Sequence, residues 1–418
     1  MSTTVAAPHH SQPLSQWLGW LETIHPVAID MGLERVSTVA DRLGLRPAKR
    51  PLILIGGTNG KGSTVAMLSA IYQQSGYKVG AYTSPHITHF CERIRVNGAM
   101  VDEDAVVEAL AFIEQGREPE TLTYFEYTTL AAMRIFNVMQ CDLLLFEVGL
   151  GGRLDATNIW DADCSIVTSV ALDHEAYLGT DVSVIATEKA AIGRAGKPFI
   201  VGETDPPASL AQYAASHSFD LIDVGAMLVS ELPEVAIPGV FQRRNAGCAI
   251  AAVNSLQATV PVEPDVACAA LMTVALRGRF EKIQIDDVCV VLDVAHNPAG
   301  AQALADAWIA EFAGQRCDIV FASLADKDVA GVVTALASIV HTWHCLALDA
   351  PRASTARELA EIVRESADVL ELDTAQVNEY DRVDQAVQAA LQAARADKRS
   401  VLVAGSFYTI AAVQALLD

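Results

Sequence analysis

Basic residues are scarce in this chain of 418 residues. Lysine and arginine together number 29 against 51 aspartates and glutamates, which gives a net charge of −22. Nucleic acids and membrane surfaces are anionic, so this balance argues against a chain that binds either one. An anionic small molecule could still bind, but only where local cations or a helix N-terminus are placed against it.

Three other features are missing. No apolar run reaches the roughly 18–20 residues that a membrane-spanning helix needs. No lysine or arginine precedes Arg35, so the basic start of a secretory signal peptide is absent. The eight cysteines are widely spaced and form no CxxC pair, which excludes the usual zinc and redox motifs. We therefore expect free thiols in a reducing compartment, and a cytoplasmic protein.

The sequence instead alternates between short apolar runs and segments of helical periodicity. Residues 52–55 are continuously apolar, residues 143–148 are apolar apart from Glu147, and residues 165–170 have the pattern of a further strand. Residues 64–75 and 128–139 repeat apolar positions at helical spacing. Strands that are apolar on both faces are typical of a parallel sheet covered by helices. The pattern predicts an α/β fold with a mostly parallel sheet.

A second run of the same kind begins near Cys289. Residues 288–294 have the pattern of a strand and residues 300–312 that of a helix, and further strands and helices follow. The stretch 276–280 has the small and charged residues of a linker. A chain of this length favours two or three domains. We predict domains over residues 1–277 and 282–418, the second being the smaller.

The strongest local motif covers residues 52–64, Leu-Ile-Leu-Ile-Gly-Gly-Thr-Asn-Gly-Lys-Gly-Ser-Thr. A buried strand that enters a glycine-rich turn and then a helix is typical of a phosphate-binding loop. Lys61 would neutralise phosphate oxygens, and Ser63 or Thr64 would reach Mg²⁺. The match is irregular, because Ile55 replaces the first glycine and Gly62 separates the lysine from the hydroxyls. The alternative, an ordinary glycine-rich turn, is the less favoured interpretation.

Carboxylate and other polar groups follow later strands. Glu147 stands at the end of an apolar run, where it would hold Mg²⁺ opposite the phosphates, although a buried structural glutamate is the alternative. The Gly149-x-Gly151 pair lacks the third glycine of a dinucleotide site. His174 and Lys189 are, each taken alone, more often structural than functional.

Together these motifs resemble one family, the dihydrofolate synthase/folylpolyglutamate synthase enzymes of the Mur-ligase superfamily. The irregular phosphate loop is the form that this family has. The resemblance implies an N-terminal P-loop Mur-ligase-like ATPase domain and a smaller, C-terminal Rossmann-like α/β domain. The matching segments occur in the family's order at residues 25–35, 57–64, 83–86, 123–126, 147–158, 173–174, 188–189, 241–245, 278–280, 292–300 and 326–328.

The resemblance implies an ATP-dependent amide ligase. Such an enzyme adds L-glutamate to dihydropteroate and to reduced folates through an acyl phosphate. ATP and Mg²⁺, the latter at two positions, are the implied cofactors. The implied partners are small molecules, without nucleic acid or membrane, and the implied state is a monomer.

Residue roles carried over from the family fall into four groups. The catalytic residues are Lys61, Glu147, His174 and Lys189, of which Lys189 matches a carbamylated lysine. The nucleotide contacts are Thr58, Asn59, Gly60, Lys61, Gly62, Ser63, Thr64, Asn245, Arg279 and Asp293, with Asn245 at the adenine. The metal ligands are Ser63, Ser84, Glu147 and His174. The substrate contacts are Ile29, Asp30, Met31, Gly32, Thr123, Tyr124, Phe125, Glu126, Leu154, Asp155 and Ala156 for the pterin substrate, and His296 and Asn297 for glutamate.

One departure from the family concerns Lys189. The family usually has glycine where this chain has Ala191, and an extra methyl group there could tighten the turn next to the lysine. Two alternative functions stay open at this point. A Mur-type ligase for cell-wall precursors is disfavoured by the pterin-like segments. A nucleotide-binding module without catalysis is disfavoured by the retention of Lys61, Ser84, Glu147 and His174.

Overall fold

The computed structural model describes residues 6–350, 352–369 and 376–417. These residues form two compact units. The first contains the described residues up to Glu234 together with Arg243–Val274, and the second contains Val235–Gln242 with the described residues from Ala275 onward. Nothing in the sequence indicated that Val235–Gln242 would group with the second unit. The domain limits 1–277 and 282–418 therefore stay a proposal.

The first unit is built on an eight-stranded sheet in the order β4-β3-β2-β5-β1-β6-β7-β8. Its central strands pair in parallel, while β3 and β4 add an antiparallel edge. The two central strands β1 and β5 are buried along their whole length, as their mostly apolar sequences predict. The strands are β1 (Leu52–Gly56), β2 (Val79–Tyr82), β3 (Ile94–Val96), β4 (Ala99–Met100), β5 (Leu143–Glu147), β6 (Cys164–Val167), β7 (Pro198–Val201) and β8 (Asp220–Asp223).

Helices that precede Ala275 connect and cover these strands. The helix after β1 begins at Lys61, so the phosphate-loop lysine stands in its first turn. The helices are α1 (Leu14–Leu21), α2 (Glu34–Arg42), α3 (Lys61–Gln74), α4 (Glu103–Arg117), α5 (Tyr124–Val138), α6 (Glu175–Leu178), α7 (Val182–Ala190), α8 (Ala208–Ser216), α9 (Val240–Ser255) and α10 (Pro264–Leu271).

The second unit contains a six-stranded sheet in the order β13-β12-β11-β14-β10-β9. All its strand pairs are parallel except β9 with β10. Both units thus have the predicted α/β architecture with mostly parallel sheets. The strands are β9 (Glu281–Ile285), β10 (Val288–Leu292), β11 (Cys317–Phe321), β12 (Val340–Leu346), β13 (Gln376–Tyr380) and β14 (Val401–Ala404), and the helices are α11 (Pro298–Glu311), α12 (Val329–Leu336), α13 (Ala356–Val369), α14 (Val383–Asp397) and α15 (Phe407–Leu417).

All eight cysteines lie among the described residues and are free thiols, six of them buried. This agrees with the expectation of unpaired cysteines. Across residues 6–350, 352–369 and 376–417, no helix combines the length and the apolar character needed to cross a membrane.

Candidate functional site

The phosphate loop lies between the end of β1 and the start of α3. Gly57 and Gly60 both have positive φ, 136° and 89°. A Cβ atom at Gly57 would lie 2.0 Å from Thr168 Oγ1, and one at Gly60 would lie 2.4 Å from Asn245 Oδ1. Both positions therefore require glycine, for conformation and for space. The contact at Gly60 also brings Asn245, the predicted adenine contact, directly against the loop.

Two hydroxyl residues that directly follow the neighbouring strand β6 hold the loop. The Asn59 amide donates to Ser169 Oγ at 2.9 Å, and Thr168 Oγ1 donates to the Asn59 carbonyl at 2.6 Å. The Thr58 amide donates to the Ser169 carbonyl at 2.8 Å. Thr168 and Ser169 were not among the predicted site residues, although a pair of hydroxyls directly after a buried strand was a usable signal.

Backbone N–H groups at the start of α3 are placed next to the loop. The Asn59 amide, which belongs to a predicted nucleotide contact, donates to Ser169 Oγ. The first helical bond runs from the Thr64 amide to the Gly60 carbonyl at 2.9 Å. The amides of residues 60–63 lie before that bond, where backbone N–H groups can face a phosphate at the positive end of the helix.

The Lys61 side chain folds back over the loop. Its Nζ donates to the carbonyl oxygens of Gly57 and Thr58, each at 3.0 Å. Lys61 also lines a pocket with Asp173, His174 and Lys189, so three of the predicted catalytic residues lie around one space.

Ser63, Ser84 and Glu147 offer oxygen atoms suited to a hard cation. Ser63 is buried, and its Oγ has no hydrogen-bond partner in the described part of the chain. Glu147, at the end of β5, is 5% exposed and accepts from the Ser84 amide at 3.2 Å. Its Oε2 lies 3.6 Å from where a Cβ on Gly62 would be, so the carboxylate reaches the start of α3.

These donors fit Mg²⁺, which prefers oxygen ligands and keeps several waters or phosphate oxygens. No group of three or more His, Cys, Asp or Glu side chains that could hold a metal occurs among the residues described. A site of one carboxylate and hydroxyls is consistent with that finding, because substrate phosphates usually complete the shell of Mg²⁺.

Lys189 is a buried lysine near a second one. It lies in α7 and is 4% exposed. Burial, followed by the positive charge of Lys61, lowers its pKa to about 7, and Asp173 opposes this shift. Ala191 has φ −67°, an ordinary helical value that needs no glycine, so the extra methyl group does not strain the backbone next to Lys189.

Several residues predicted to bind the pterin substrate also hold the fold. Thr123 and Glu126 form a capping box at the start of α5. The buried Asp155 carboxylate accepts from the amides of Gly149, Leu150 and Thr157 at 2.9–3.0 Å. These contacts fix the backbone of the predicted surface, whether or not the side chains also touch a ligand.

The remaining residues of this surface differ in exposure. Phe125 packs against Gly149, where an added Cβ would lie 2.6 Å from Phe125 Cζ. Tyr124 lies under the guanidinium of Arg93, 5.7 Å from the ring centroid. Ile29 is exposed and Ala156 is buried, whereas Asp30, Met31, Gly32 and Leu154 are half-buried.

The second unit places the other four predicted residues near the carboxyl end of β10. Asp293 accepts from the amides of Phe280 and Ala295 at 2.9 and 2.8 Å. Burial raises the pKa of Asp293, and the charge of Arg279 partly offsets this effect. Asn297 caps α11 by accepting from the Gly300 amide at 2.8 Å, while His296 Nδ1 lies 2.9 Å from the Val294 carbonyl.

Comparison with known proteins gives consistent results. A family model described as "Mur ligase, glutamate ligase domain" matches residues 278–407. The dihydrofolate synthase/folylpolyglutamate synthase of Escherichia coli (strain K12) is 40% identical over 431 residues, covering 98% of this chain and 97% of that protein.

Solved structures agree with that similarity. The structure of E. coli FolC in complex with DHPP and ADP matches with a TM-score of 0.89 at 39% identity, covering 99% of each chain. A bifunctional folylpolyglutamate synthase/dihydrofolate synthase from Yersinia pestis, complexed with AMPPNP and Mn ion, matches with a TM-score of 0.86 at 36% identity, covering 99% of this chain and 100% of that one.

Proposed function

Because the chain belongs to the dihydrofolate synthase/folylpolyglutamate synthase family, we propose that it joins L-glutamate to dihydropteroate and to folates in an ATP-dependent reaction. The observation that carries this proposal is the arrangement at the start of α3. There the Lys61 ammonium, the unpartnered Ser63 hydroxyl and the Glu147 carboxylate lie around a helix N-terminus.

The chemistry explains why such a site is needed. A carboxylate at neutral pH is a poor acyl donor, and transfer of the γ-phosphoryl group of ATP to it creates a leaving group. The α-amino group of L-glutamate then attacks the acyl carbon, the amide forms, and phosphate leaves. Both partners in the first step are anions, so the protein must supply positive charge and hold the reactants in line.

The chain's own residues divide this work. Lys61 and the amides of residues 60–63 hold the phosphates, and Asn245 holds the adenine end against the loop. Arg279 and Asp293 of the second unit are proposed as further ATP contacts. Ser63, Ser84, Glu147 and His174 would hold Mg²⁺ at two positions, where the metal supplies neutralisation of the phosphate charge.

Lys189 is proposed to carry a carbamate. Carbamylation joins the uncharged amine to CO₂ and releases a proton, so it needs a lysine that is partly deprotonated at neutral pH. Burial and the nearby Lys61 favour that form, and the product would replace a cation by a carboxylate-like ligand for Mg²⁺. In a sample equilibrated with ¹³C-bicarbonate, we expect a carbamate carbon signal by NMR that Lys189→Arg abolishes. Identical spectra from the two proteins would exclude the modification.

The substrate contacts are proposed from the same resemblance to the family. Residues 29–32, 123–126 and 154–156 are proposed to bind the pterin substrate, and His296 and Asn297 the incoming glutamate. We further propose a cytoplasmic monomer.

Phosphate release with ATP and Mg²⁺ tests the function directly. The purified protein should release phosphate with dihydropteroate plus glutamate, and with tetrahydrofolate plus glutamate. A muramyl precursor should give no turnover above background. Release with the muramyl precursor alone would overturn the proposal.

A further inference from the structure

The segment of residues 29–32 has no regular structure of its own. It lies between α1 and α2, in neither a helix nor a strand. A surface segment of this kind adopts one conformation when hydrogen bonds and ion pairs from neighbouring side chains fix it. The question is therefore which contacts set its shape.

Arg35, in the first turn of α2, makes most of these contacts. Its Nη1 donates to Asp30 Oδ2 at 2.6 Å, and its Nη2 donates to the Asp30 carbonyl. One guanidinium thus fixes both the side chain and the backbone of Asp30. His25 Nε2 lies 3.1 Å from the same Asp30 oxygen and gives the carboxylate a second partner.

The same guanidinium also reaches α5. Arg35 Nε lies 3.0 Å from the Glu126 carboxylate, whose side chain is 4% exposed. Glu126 Oε2 in turn accepts from the Thr123 amide at 2.8 Å. A planar group with five donors in fixed directions can make all these bonds at once, which a lysine ammonium cannot do.

We propose that Arg35 is a positioning residue for the pterin substrate. It sets residues 29–32 against residues 123–126, two segments far apart in the chain, and so preforms the surface that dihydropteroate meets. This inference rests on the proposed function, because that function assigns both segments to the substrate. Arg35 itself is not required to touch the substrate, the nucleotide or the reacting atoms.

The test compares Arg35→Met and Arg35→Lys with a matched control, Arg42→Met. Arg42 lies in the same helix and makes a similar network, with Glu120 at 2.7 Å and with the carbonyls of Gly116 and Glu118. The control therefore measures what the loss of an anchored arginine in α2 does by itself.

We expect Arg35→Met to raise KM for dihydropteroate about tenfold, with KM for ATP changed less than about twofold. The KM of Arg35→Lys for dihydropteroate should lie between those of Arg35→Met and the wild type. The lysine keeps the positive charge but lacks the planar, several-donor geometry of the guanidinium. Direct binding of dihydropteroate, followed by fluorescence without ATP, should weaken in parallel. Arg42→Met should leave all three values near those of the wild type.

Equal changes in the Arg35 and Arg42 variants, or equal rises in both KM values, would overturn the inference. If Arg35→Met fails to fold, the Arg35→Lys data decide the matter by the same criteria. Failure of the wild-type protein to turn over dihydropteroate would instead refute the proposed function, and the inference with it.

Discussion

The phosphate loop and the proposed pterin surface (residues 29–32, 123–126 and 154–156) are held in different ways. Backbone amides, two glycines and the short hydroxyl side chains of Thr168 and Ser169 fix the loop. The long charged side chain of Arg35 instead joins residues 29–32 to residues 123–126 of the proposed surface. The conformation of the loop thus depends on close packing that leaves no space for a larger side chain, whereas the surface depends on charged contacts between separate segments. We expect substitutions in the loop to weaken ATP binding and to lower kcat. Substitutions in the surface should weaken the binding of one substrate, dihydropteroate.

The largest effect should come from the charges beside the loop. We expect Lys61→Ala and Glu147→Ala each to lower kcat by a factor of about 100 or more, because both remove preorganised charge from the reacting phosphoryl group. Steady-state phosphate release measures this. Lys197→Ala is a suitable control, since Lys197 pairs with Asp163 at the surface. Near-normal kcat in both site variants would refute the assignment.

Gly57→Ala should have the next largest effect. The new Cβ would lie 2.0 Å from Thr168 Oγ1 at a φ of 136°, so the loop must move. We expect at least about tenfold weaker ATP binding and a lower melting temperature. Gly76→Ala is the matched control, because Gly76 also has positive φ, 88°, but has no atom within 4 Å of its added Cβ. Similar ATP binding in the two variants would show that the close contact does not matter.

Ser169→Ala should give a smaller change of the same kind. Loss of the hydroxyl leaves the Asn59 amide without its 2.9 Å acceptor, at a cost of about 1 kcal/mol, or roughly fivefold in binding. The expected outcome is a higher KM for ATP and an unchanged KM for dihydropteroate. Ser216→Ala, which removes an exposed hydroxyl with only local contacts, controls for serine loss. A change in the dihydropteroate KM alone would contradict the distinction drawn between the two regions.

Stability at acid pH, rather than activity, should depend on Glu92. Burial alone would raise the pKa of Glu92, but hydrogen bonds from residues 87–89 outweigh it and lower that pKa to about 2. The unfolded value is about 4.3, so the unfolded chain binds the proton more readily. The resulting stabilisation is present above pH 4.5 and is lost as pH falls toward 2.

The variant Glu92→Gln should therefore be less stable than the wild type at pH 6, by about 1–2 kcal/mol. This difference in the free energy of unfolding should become smaller below pH 4. Urea unfolding at several pH values measures both. A constant difference across this range would mean that the charge of Glu92 does not stabilise the fold.

The sequence predicted the central strands and the phosphate loop better than it predicted helix α9 and the edge strand β13. Mostly apolar runs predicted β1 and β5, and the phosphate loop between β1 and α3 followed from its glycines and lysine. Helix α9 was missed because its many small residues weaken the apolar periodicity. Strand β13 was missed because it lies at an edge of its sheet, mostly exposed, and lacks a long apolar run.

Contacts within the site were harder to predict, because they join residues distant in sequence. The partners Arg35 and Glu126, and likewise Asn59 and Ser169, become visible only once the strands and helices are placed. The capping pattern from Thr123 to Glu126 was readable as a helix start, but the resemblance to the family assigned those residues to the substrate alone. Whether His174, Arg279 and the other carried-over residues act as proposed stays a prediction.

The distribution of the cysteines has a practical consequence. Six of the eight thiols are buried and Cys289 is half-buried, whereas Cys268, in α10 of the first unit, is exposed. A maleimide dye or spin label added to the native protein would therefore react first at Cys268. The chain already carries one exposed attachment point for spectroscopy, without an engineered cysteine.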